Sequence, residues 1–274
     1  MADEAVRRVG FVGLGRLGRP MAGHAAAAGD ETIGWDVDAG AITAAEAIGC
    51  RPAGSLAECV READAVIVIV PSDDDLKAAC TDDGGIFASA RPGTIVCACS
   101  SLLPETAAEM AEKADEHGLE FLDMPLTKGV RAAEAGTMTL LVGGKAEVLA
   151  RLRPALESFS DAIHHVGPAG AAQVAKSVNN ILLWVGLEGA LEALTLGRAY
   201  DLDVEGLRAA LLDCSADSWM LRELQDIEPT WPAKDLENVA RMAEAQELPM
   251  PLVERLTELA GGLTRQRITD LFRD

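Results

Sequence analysis

The sequence predicts a doubly wound α/β domain, followed by a long connecting helix and a small all-α domain at the C-terminal end. Up to residue 166, short apolar runs alternate with segments of helical periodicity, which is typical of βαβ units and a parallel sheet. Beyond Gly167-Pro168 the strand patterns stop and only helical patterns follow, so this dipeptide marks the boundary. We therefore expect a domain over 1–166, a connecting helix over 167–198 and a helical domain over 199–274.

The first domain is predicted to contain seven strands, which are Val9–Val12, Thr32–Trp35, Ala65–Val70, Thr94–Ala98, Glu120–Leu122, Thr139–Val142 and Ile163–Val166. Helices separate the early strands at Leu17–Ala28, Ala39–Ala47, Leu56–Glu62, Asp73–Ala79 and Pro104–His117. In the third strand no polar residue alternates with the apolar ones, which is typical of a strand that is covered on both faces. The helices predicted after the boundary are Ala171–Arg198, Val204–Leu212, Lys234–Ala245 and Pro251–Leu263.

The charge balance is strongly acidic, since 24 basic and 44 acidic residues give a formal net charge of −20. This balance argues against nucleic acids and anionic membranes as partners. A small anionic substrate needs only a local cluster of positive groups, because salt confines electrostatic fields to roughly 8 Å. The charged N-terminal segment runs directly into the first strand, and glycines and glutamates interrupt the apolar run Ile181–Ala193. Both features indicate a soluble, cytoplasmic protein.

The six cysteines lack the spacing of a zinc site or of a CxxC motif. Cys97 and Cys99 lie two residues apart on a predicted strand, where they share a face and do not suit a disulfide to each other. We therefore expect free thiols in a reducing compartment and no metal.

A glycine motif follows the first predicted strand and opens the first helix, and it reads Gly13-Leu14-Gly15-Arg16-Leu17-Gly18. In a Rossmann-type domain the first glycine allows a tight turn, the second lets the backbone approach a pyrophosphate, and the third lets the helix pack close to the sheet. The pyrophosphate is attracted by the free N–H groups at the helix N-terminus. The strand before the motif and the helix after it predict that these six residues bind a dinucleotide cofactor.

Asp36 ends the second strand, 18 residues after Gly18. An acidic residue at this place typically binds the ribose hydroxyls of the adenosine. Its carboxylate would repel the 2′-phosphate of NADP, and Val37 occupies the position where an arginine could receive that phosphate. The sequence therefore predicts NAD in preference to NADP.

Two further segments, Val70-Pro71-Ser72 and Ser100-Ser101, follow the third and fourth predicted strands. Ligands of open α/β sheets bind beyond the carboxyl ends of the strands, so we expect Val70, Pro71 and Ser101 to lie at the cofactor. Both segments are equally compatible with ordinary strand-to-helix turns, in which Ser101 lies near the next helix start.

The start of the connecting helix carries a polar stripe among overwhelmingly apolar neighbours. At 3.6 residues per turn, the stripe contains Gln173, Lys176, Ser177 and Asn180. A lysine in such surroundings is costly unless it is paired or hydrated, and Lys176 and Asn180 would face the same cleft. The alternative is a lysine whose apolar stem lies along the helix while its ammonium group reaches solvent.

Five motifs occur in the order found in the β-hydroxyacid dehydrogenase family, which includes 3-hydroxyisobutyrate dehydrogenase and tartronate semialdehyde reductase. They are Gly10–Ala22, Asp123–Gly129, Ala132–Thr139 with Gly143-Gly144, Gly167–Asn180 and Lys234–Leu236, and they span most of the chain. The resemblance implies an oxidoreductase that transfers a hydride between NAD and a small β-hydroxy acid. A reductase of a small aldehyde-acid of the tartronate, succinic or sulfolactaldehyde type, using NADH or NADPH, would use the same site. A non-catalytic dinucleotide sensor is a remote third interpretation.

The resemblance also implies roles for single residues. Lys176 matches the family's catalytic lysine, which shuttles the proton as the hydride moves. Asn180 and Ser100 match residues that hold the substrate, and the segment Thr127-Lys128-Gly129 matches the loop that binds its carboxylate. Lys234 matches a lysine at the edge of the site, near the cofactor. The family further implies a homodimer or higher homo-oligomer in which the helical parts pack together.

The chain departs from the family at two places. The substrate loop usually reads Asp-Ala-Pro-Val-Ser-Gly-Gly, whereas here Thr127 keeps a hydroxyl and Lys128 replaces a glycine. Family members that reduce sulfolactaldehyde carry a basic residue there, so Lys128 is predicted to favour a stronger or second anionic group on the substrate. The alternative is a solvent-facing lysine without contact. The segment between Trp219 and Lys234 is shorter than usual, with Trp231 nearby, so the sequence does not define what covers the site.

Overall fold

The computed structural model describes residues 6–273. Residues 1–5 and 274 lie outside the described part, which therefore lacks most of the charged N-terminal segment on which the predicted localisation partly rests. The chain divides into two compact units, Met1–Lys176 and Ser177–Asp274. In their described residues, the first unit is built on a β-sheet and the second on helices.

The sheet contains eight strands, β1 (Arg8–Val12), β2 (Glu31–Trp35), β3 (Arg51–Pro52), β4 (Ala65–Val68), β5 (Ile95–Ala98), β6 (Glu120–Asp123), β7 (Met138–Gly144) and β8 (Ser160–Gly167). The helices between them are α1 (Gly18–Ala27), α2 (Ala39–Glu46), α3 (Leu56–Arg61), α4 (Asp73–Thr81), α5 (Ile86–Ser89), α6 (Pro104–Glu116), α7 (Gly129–Ala135) and α8 (Ala146–Leu156). All seven predicted strands and all five predicted helices of this region are found, with ends shifted by up to three residues. The prediction missed β3, α5, α7 and α8.

The strands are arranged in the order β3-β2-β1-β4-β5-β6-β7-β8. The first six strands follow the Rossmann-type order, in which the chain reverses its direction across the sheet between β1 and β4. Strands β1 to β6 pair in parallel, whereas β7 runs antiparallel to β6 and β8 runs parallel to β7. The prediction of a parallel sheet was therefore wrong at β7. The chain reverses its direction after β6, and an antiparallel bridge joins Leu126 and Leu140.

Strand β4 shows why its sequence is apolar throughout. Ala65 and Ile67 belong to the hydrophobic core on one face of the sheet, and Val66 and Val68 belong to the core on the other face. Helices α1, α2, α7 and α8 contribute to the first core, and α3 to α6 contribute to the second. The prediction of a strand covered on both faces is confirmed.

Helix α9 (Ala171–Ala199) begins in the first unit and continues into the second, as the long connecting helix was predicted to do. The second unit also contains α10 (Val204–Leu211), α11 (Trp219–Glu223), α12 (Pro232–Ala245), α13 (Pro251–Leu259) and α14 (Arg265–Leu271). Leu187, Leu191 and Leu194 of α9 are buried in the core of this unit. The helix predicted to reach Leu263 ends earlier, because a 3₁₀ turn begins at Ala260 in a glycine-containing segment. The prediction missed α11 and α14.

Among the described residues, α9 is the one helix long and apolar enough to span a membrane by length and composition. The core helix of a soluble protein can pass the same test, so the finding is weak evidence for a span. Glu188 on this helix is buried and bonded through both carboxylate oxygens to Arg267 of α14, as expected for a helix packed against protein.

Candidate functional site

The carboxyl ends of β1, β2, β4, β5 and β6 lie at one edge of the sheet, here called the carboxyl edge. Ligands of doubly wound sheets bind outside this edge, where the strand order reverses. The predicted site residues of the first unit follow these five strands in turn. The glycine motif follows β1, Asp36 follows β2, Val70 follows β4, Ser100 follows β5 and Thr127 follows β6.

Packing requires glycine at two of the three glycine positions in the motif after β1, but not at the third. Gly13 has a φ of 97°, and a Cβ there would collide with the carbonyl oxygen of Ile69. A Cβ at Gly18 would collide with the carbonyl oxygen of Gly13. A Cβ at Gly15 would meet no described protein atom within 4 Å, so packing does not require glycine there. Gly15 therefore leaves the backbone accessible to an approaching phosphate.

The N-terminus of α1 is suited to an anion. Its N-cap residue Leu17 makes no side-chain capping bond, and its first turn contains no acidic residue. The first N–H groups of the helix therefore lack a local carboxylate partner, and together with the helix dipole they attract a phosphate. Arg16 and Arg19 are exposed beside this turn. These residues fit the pyrophosphate of a dinucleotide.

Asp36 is held in place by two backbone groups. One carboxylate oxygen accepts a hydrogen bond from the N–H of Leu14 at 2.7 Å, and the other accepts from the N–H of Asp38 at 2.9 Å. The carboxylate thus lies next to the glycine motif, as a ribose-binding acid should. Val37 is 89% exposed beside it and offers no positive charge to a 2′-phosphate.

The hydroxyl of Ser100 is used within the protein. It donates to the carbonyl oxygen of Val70 at 2.6 Å and accepts from the N–H of Val70 at 3.0 Å, so it fastens the end of β4 to the end of β5. Ser72 caps α4 with its side chain, in agreement with the strand-to-helix alternative. The N-cap of α6 is Leu103, and Ser101 lies two residues before it at the carboxyl edge.

The predicted substrate loop leads into α7. Thr127 is buried and donates its hydroxyl proton to the carbonyl oxygen of Thr139 at 2.6 Å. Lys128 is exposed and has φ 65° and ψ −1°, a left-handed conformation that glycine adopts at lower cost. Gly129 follows with a φ of 70°. Lys128 therefore has a backbone conformation that favours glycine, the residue that usually occupies this position in the family that the sequence resembles.

Two residues of this region were missed as site residues, namely Asp123 and Gln173. Asp123 ends β6, is fully buried, and accepts hydrogen bonds from backbone N–H groups at the start of α9. Gln173 is buried at 1% exposure, and its side chain bonds to the backbone of the segment that follows β5. The available signal for Asp123 was an acidic residue at the end of an apolar strand.

At the start of helix α9 the usual pattern of burial is reversed, because polar side chains are buried and apolar ones are exposed. Gln173, Ser177 and Asn180 of the predicted polar stripe are buried, with exposures of 1%, 8% and 3%, whereas Val174 and Val178 are 43% and 52% exposed. Lys176 lies on the polar side and is half-buried. Burying polar side chains while leaving valines outside costs free energy, and such a pattern is retained where the polar face has a function.

The second unit carries the remaining predicted residues. Asn180 lies on α9, and its side-chain oxygen accepts from the amide of Asn179 at 3.3 Å. Lys234 is half-buried near the start of α12, and the next residue, Asp235, accepts a hydrogen bond from the indole of Trp184 at 3.1 Å. This bond fastens the start of α12 to α9. The short segment before Lys234 contains α11 and two half-exposed tryptophans, Trp219 and Trp231.

All six cysteines are free thiols, as predicted. Burial raises the pKa of the Cys59 and Cys80 thiols to about 12, so their reactive thiolate forms are scarce near neutral pH. Cys214 is the exposed cysteine. Among the described residues, no group of three or more His, Cys, Asp or Glu side chains could hold a metal ion.

Two family models together match nearly the whole chain. Residues 8–167 match the NAD binding domain of 6-phosphogluconate dehydrogenase. Residues 170–270 match a domain described as the NAD-binding of NADP-dependent 3-hydroxyisobutyrate dehydrogenase. A dinucleotide-binding domain for NAD or NADP is therefore present, in agreement with the glycine motif and Asp36.

Several known proteins of similar sequence and structure are named as dehydrogenases. The NAD-dependent L-serine dehydrogenase of Pseudomonas aeruginosa is 37% identical over 83% of this chain and 75% of its own length. The 2-(hydroxymethyl)glutarate dehydrogenase of Eubacterium barkeri is 26% identical over 93% of this chain and 88% of its own. The solved structure of Mycobacterium tuberculosis 3-hydroxyisobutyrate dehydrogenase with L-serine superposes with a TM-score of 0.88 at 27% identity. That match covers 98% of this chain and 100% of the other.

Proposed function

This chain belongs to the β-hydroxyacid dehydrogenase family, and we propose that it oxidises a small β-hydroxy acid with NAD, with Lys176 as the proton shuttle. The observation that carries the proposal is the reversed burial of polar and apolar side chains at the start of α9. Buried Gln173 and Asn180 share their side of the helix with Lys176, while valines face outward. A dinucleotide sensor would need the glycine motif and Asp36 but not this buried polar face.

In the proposed reaction, Lys176, in its neutral amine form, accepts the proton of the substrate hydroxyl. Bound NAD would take the hydride from the carbon that bears this hydroxyl, and the product would be an aldehyde acid. Asn180 lies one turn further along the same helix and holds the substrate beside the lysine. By its match to the family's lysine, Lys234 is assigned to the cofactor. The reverse reduction of an aldehyde acid uses the same groups, with the ammonium form of Lys176 as the proton donor.

The proposed cofactor is NAD rather than NADP. Asp36 is fixed by the N–H groups of Leu14 and Asp38, so its carboxylate cannot easily turn away from the ribose. The carboxylate of Asp36 would repel a 2′-phosphate at this place, and Val37 offers no positive charge that would offset the repulsion. We assign Leu14, Val70, Pro71 and Ser101 to cofactor binding, since they follow β1, β4 and β5 at the carboxyl edge.

The proposed substrate carries a carboxylate, and Lys128 favours a stronger or second anionic group. Thr127, Lys128 and Gly129 form the loop that receives these groups, and Ser100 lies at the neighbouring strand end. The relative named for 2-(hydroxymethyl)glutarate acts on a dicarboxylate, so a doubly anionic substrate is compatible with this family.

Turnover tests the proposal directly. NADH formation should be measured with 3-hydroxyisobutyrate, 3-hydroxypropionate, serine, glycerate, tartronate-type dicarboxylates and sulfonated analogues, with NAD and NADP compared.

Lys176→Ala should lower kcat by about 10²–10⁴-fold, the usual contribution of a general acid–base group, while retaining NADH binding. The control is Lys113→Ala, which removes a surface lysine paired with Glu109. Substantial turnover by Lys176→Ala would refute its role, and equal turnover with NADP would refute the cofactor preference.

We further propose that the protein is a cytoplasmic homodimer or higher homo-oligomer. In the second unit, the large apolar side chains Val178, Leu182 and Leu196 of α9 are 52%, 70% and 62% exposed. Such an exposed apolar face is typical of a surface that another protein covers, and the proposed occupant is a second copy of this chain. Analytical ultracentrifugation should give a dimer or larger species for the wild type and a smaller species for Leu182→Glu. A wild-type monomer would contradict the proposal.

A further inference from the structure

Asp123 is a buried carboxylate with bonds to one helix end. The side chain has no exposed surface, its Oδ1 accepts from the N–H of Gly170 at 2.9 Å, and its Oδ2 accepts from the N–H of Gln173 at 3.2 Å. Desolvation raises the pKa of this carboxyl, and the backbone N–H bonds oppose that shift. A side chain at Gly143 would collide with Oδ1, so the carboxylate occupies a close-fitting slot.

The cap of α9 is supplied from a distant part of the chain. The first turn of α9 contains no acidic residue, and Asp123 is 47 and 50 residues away from the two groups that it binds. An exposed Ser, Thr or Asn immediately before the helix would satisfy the same N–H groups without burying a charge. The buried carboxylate therefore does more than cap the helix, because it also fixes the start of α9 to the end of β6.

Gln173 makes the complementary attachment to β5. Its Oε1 accepts from the N–H of Leu102 at 2.9 Å, and its Nε2 donates to the carbonyl oxygen of Ser100 at 3.2 Å. Both ends of the amide are thus bonded to the segment after β5. The same residue is bonded through its backbone N–H to Asp123, so the two attachments meet in one helical turn.

We propose that Asp123 and Gln173 are positioning residues that fix the height and rotation of the first turn of α9 and so place Lys176 at the carboxyl edge. Lys176 follows Gln173 by three residues, which is about 4.5 Å along the helix axis. Two attachments to two neighbouring strand ends restrain both sliding and rotation of that turn. This inference rests on the proposed function, since the role of Lys176 is part of it.

The test uses two nearly isosteric substitutions in the full-length enzyme. Asp123→Asn replaces one acceptor oxygen by a donor, so one N–H at the start of α9 loses its partner. Gln173→Met retains the length of the side chain and removes both bonds to the segment after β5. Each variant should lower kcat by up to about 10²-fold, because small misplacements of a catalytic group have effects of this size. The KM for NAD should not change in Asp123→Asn, since the glycine motif, Asp36 and the bonds to the segment after β5 are untouched.

Asp64→Asn is the matched control. Asp64 also accepts hydrogen bonds from two backbone N–H groups, those of Arg7 and Arg8, but at the amino end of the sheet. It should lower the melting temperature without selectively lowering kcat. In a Lys176→Ala background, Asp123→Asn should cause no further loss of the residual turnover. An equal loss in both backgrounds would overturn the positioning role, and so would an unchanged kcat in Asp123→Asn and Gln173→Met.

A second readout does not depend on turnover. Lys176 should be acylated with a water-soluble amine reagent, and its labelling rate should be measured by peptide mass spectrometry relative to Lys113. This ratio should change in Asp123→Asn and Gln173→Met and stay at its wild-type value in Asp64→Asn. An unchanged ratio would overturn the inference even if the enzyme is active. A changed ratio in a protein without hydroxy-acid turnover would support the placement of Lys176 and refute only the proposed function.

Discussion

At the scale of single residues, Lys128 has an unfavourable backbone conformation and is proposed to contact the substrate. A non-glycine residue in the left-handed region costs about 1 kcal/mol or more. Lys128→Gly should therefore raise the melting temperature by about 2–4 °C, the usual equivalent of 1 kcal/mol in a chain of this size. It should also lower kcat/KM for doubly anionic substrates by about tenfold relative to singly anionic ones, which corresponds to one lost charge contact of about 1.4 kcal/mol. Thermal unfolding and the substrate panel measure the two effects.

Glu247→Gly provides the control for the backbone effect. Glu247 is exposed and has a φ of 53°, so glycine should relieve a similar cost there. This variant should gain thermal stability without any change in the ranking of substrates. If Lys128→Gly gains stability but retains the wild-type ranking, then the lysine faces solvent and the proposed second anionic group is wrong.

Residue patterns in the sequence predicted the cofactor loop better than the attachments around Lys176. The glycine motif and Asp36 lie at fixed spacings within one βαβ unit, so local sequence contains the signal. The bonds of Asp123 and Gln173 join groups that are 47 to 73 residues apart, and only the assembled sheet brings them together. Ser100 shows the same limit, because the sequence does not reveal that its hydroxyl is bonded to the backbone of Val70.

At the scale of elements, the ion pair between α9 and α14 is a testable contact of the second unit. Glu188 is 7% exposed, and both of its carboxylate oxygens accept from Arg267, at 2.6 and 2.9 Å. Arg267→Met leaves the buried carboxylate without this partner and should lower the free energy of unfolding by about 2–3 kcal/mol. This value is below the range for fully buried pairs, because the Arg267 side chain is 37% exposed. Denaturant titration followed by circular dichroism measures the loss.

The double variant Glu188→Gln with Arg267→Met should recover most of that loss, since no buried charge is left unpaired. Arg255→Met is the exposed control. Arg255 pairs with Glu258 on α13, where both side chains are 66% exposed, and its loss should cost less than about 1 kcal/mol. Equal losses in Arg267→Met and Arg255→Met would mean that the pair joining α9 and α14 contributes no more than an ordinary surface pair.

Elements with a clear period were predictable, and short or interrupted ones were not. The 29 residues of α9 are visible in the sequence, and so are all the strands except β3 and the helices α1 to α4 and α6. Strand β3 has two residues and α5 has four, which is too short for any periodicity to appear. Helix α8 contains Pro154, a residue that argues against a helix interior. The antiparallel β7 depends on a tertiary return of the chain, which no local pattern records.

At the scale of the whole molecule, the net charge of −20 should make stability depend on salt. Repulsion among excess carboxylates destabilises the folded state, and raising the ionic strength from 0.1 to 1 M shortens the screening length from about 10 to about 3 Å. The melting temperature at neutral pH should therefore rise by about 5 °C over this range of NaCl, which corresponds to about 2 kcal/mol. Sodium chloride is preferred to sulfate, because sulfate stabilises most proteins by exclusion from their surface. Near pH 5, close to the sequence pI of about 4.5, the net charge is smaller and the same salt step should raise the melting temperature much less. An equal rise at both pH values would show that charge repulsion is not the cause.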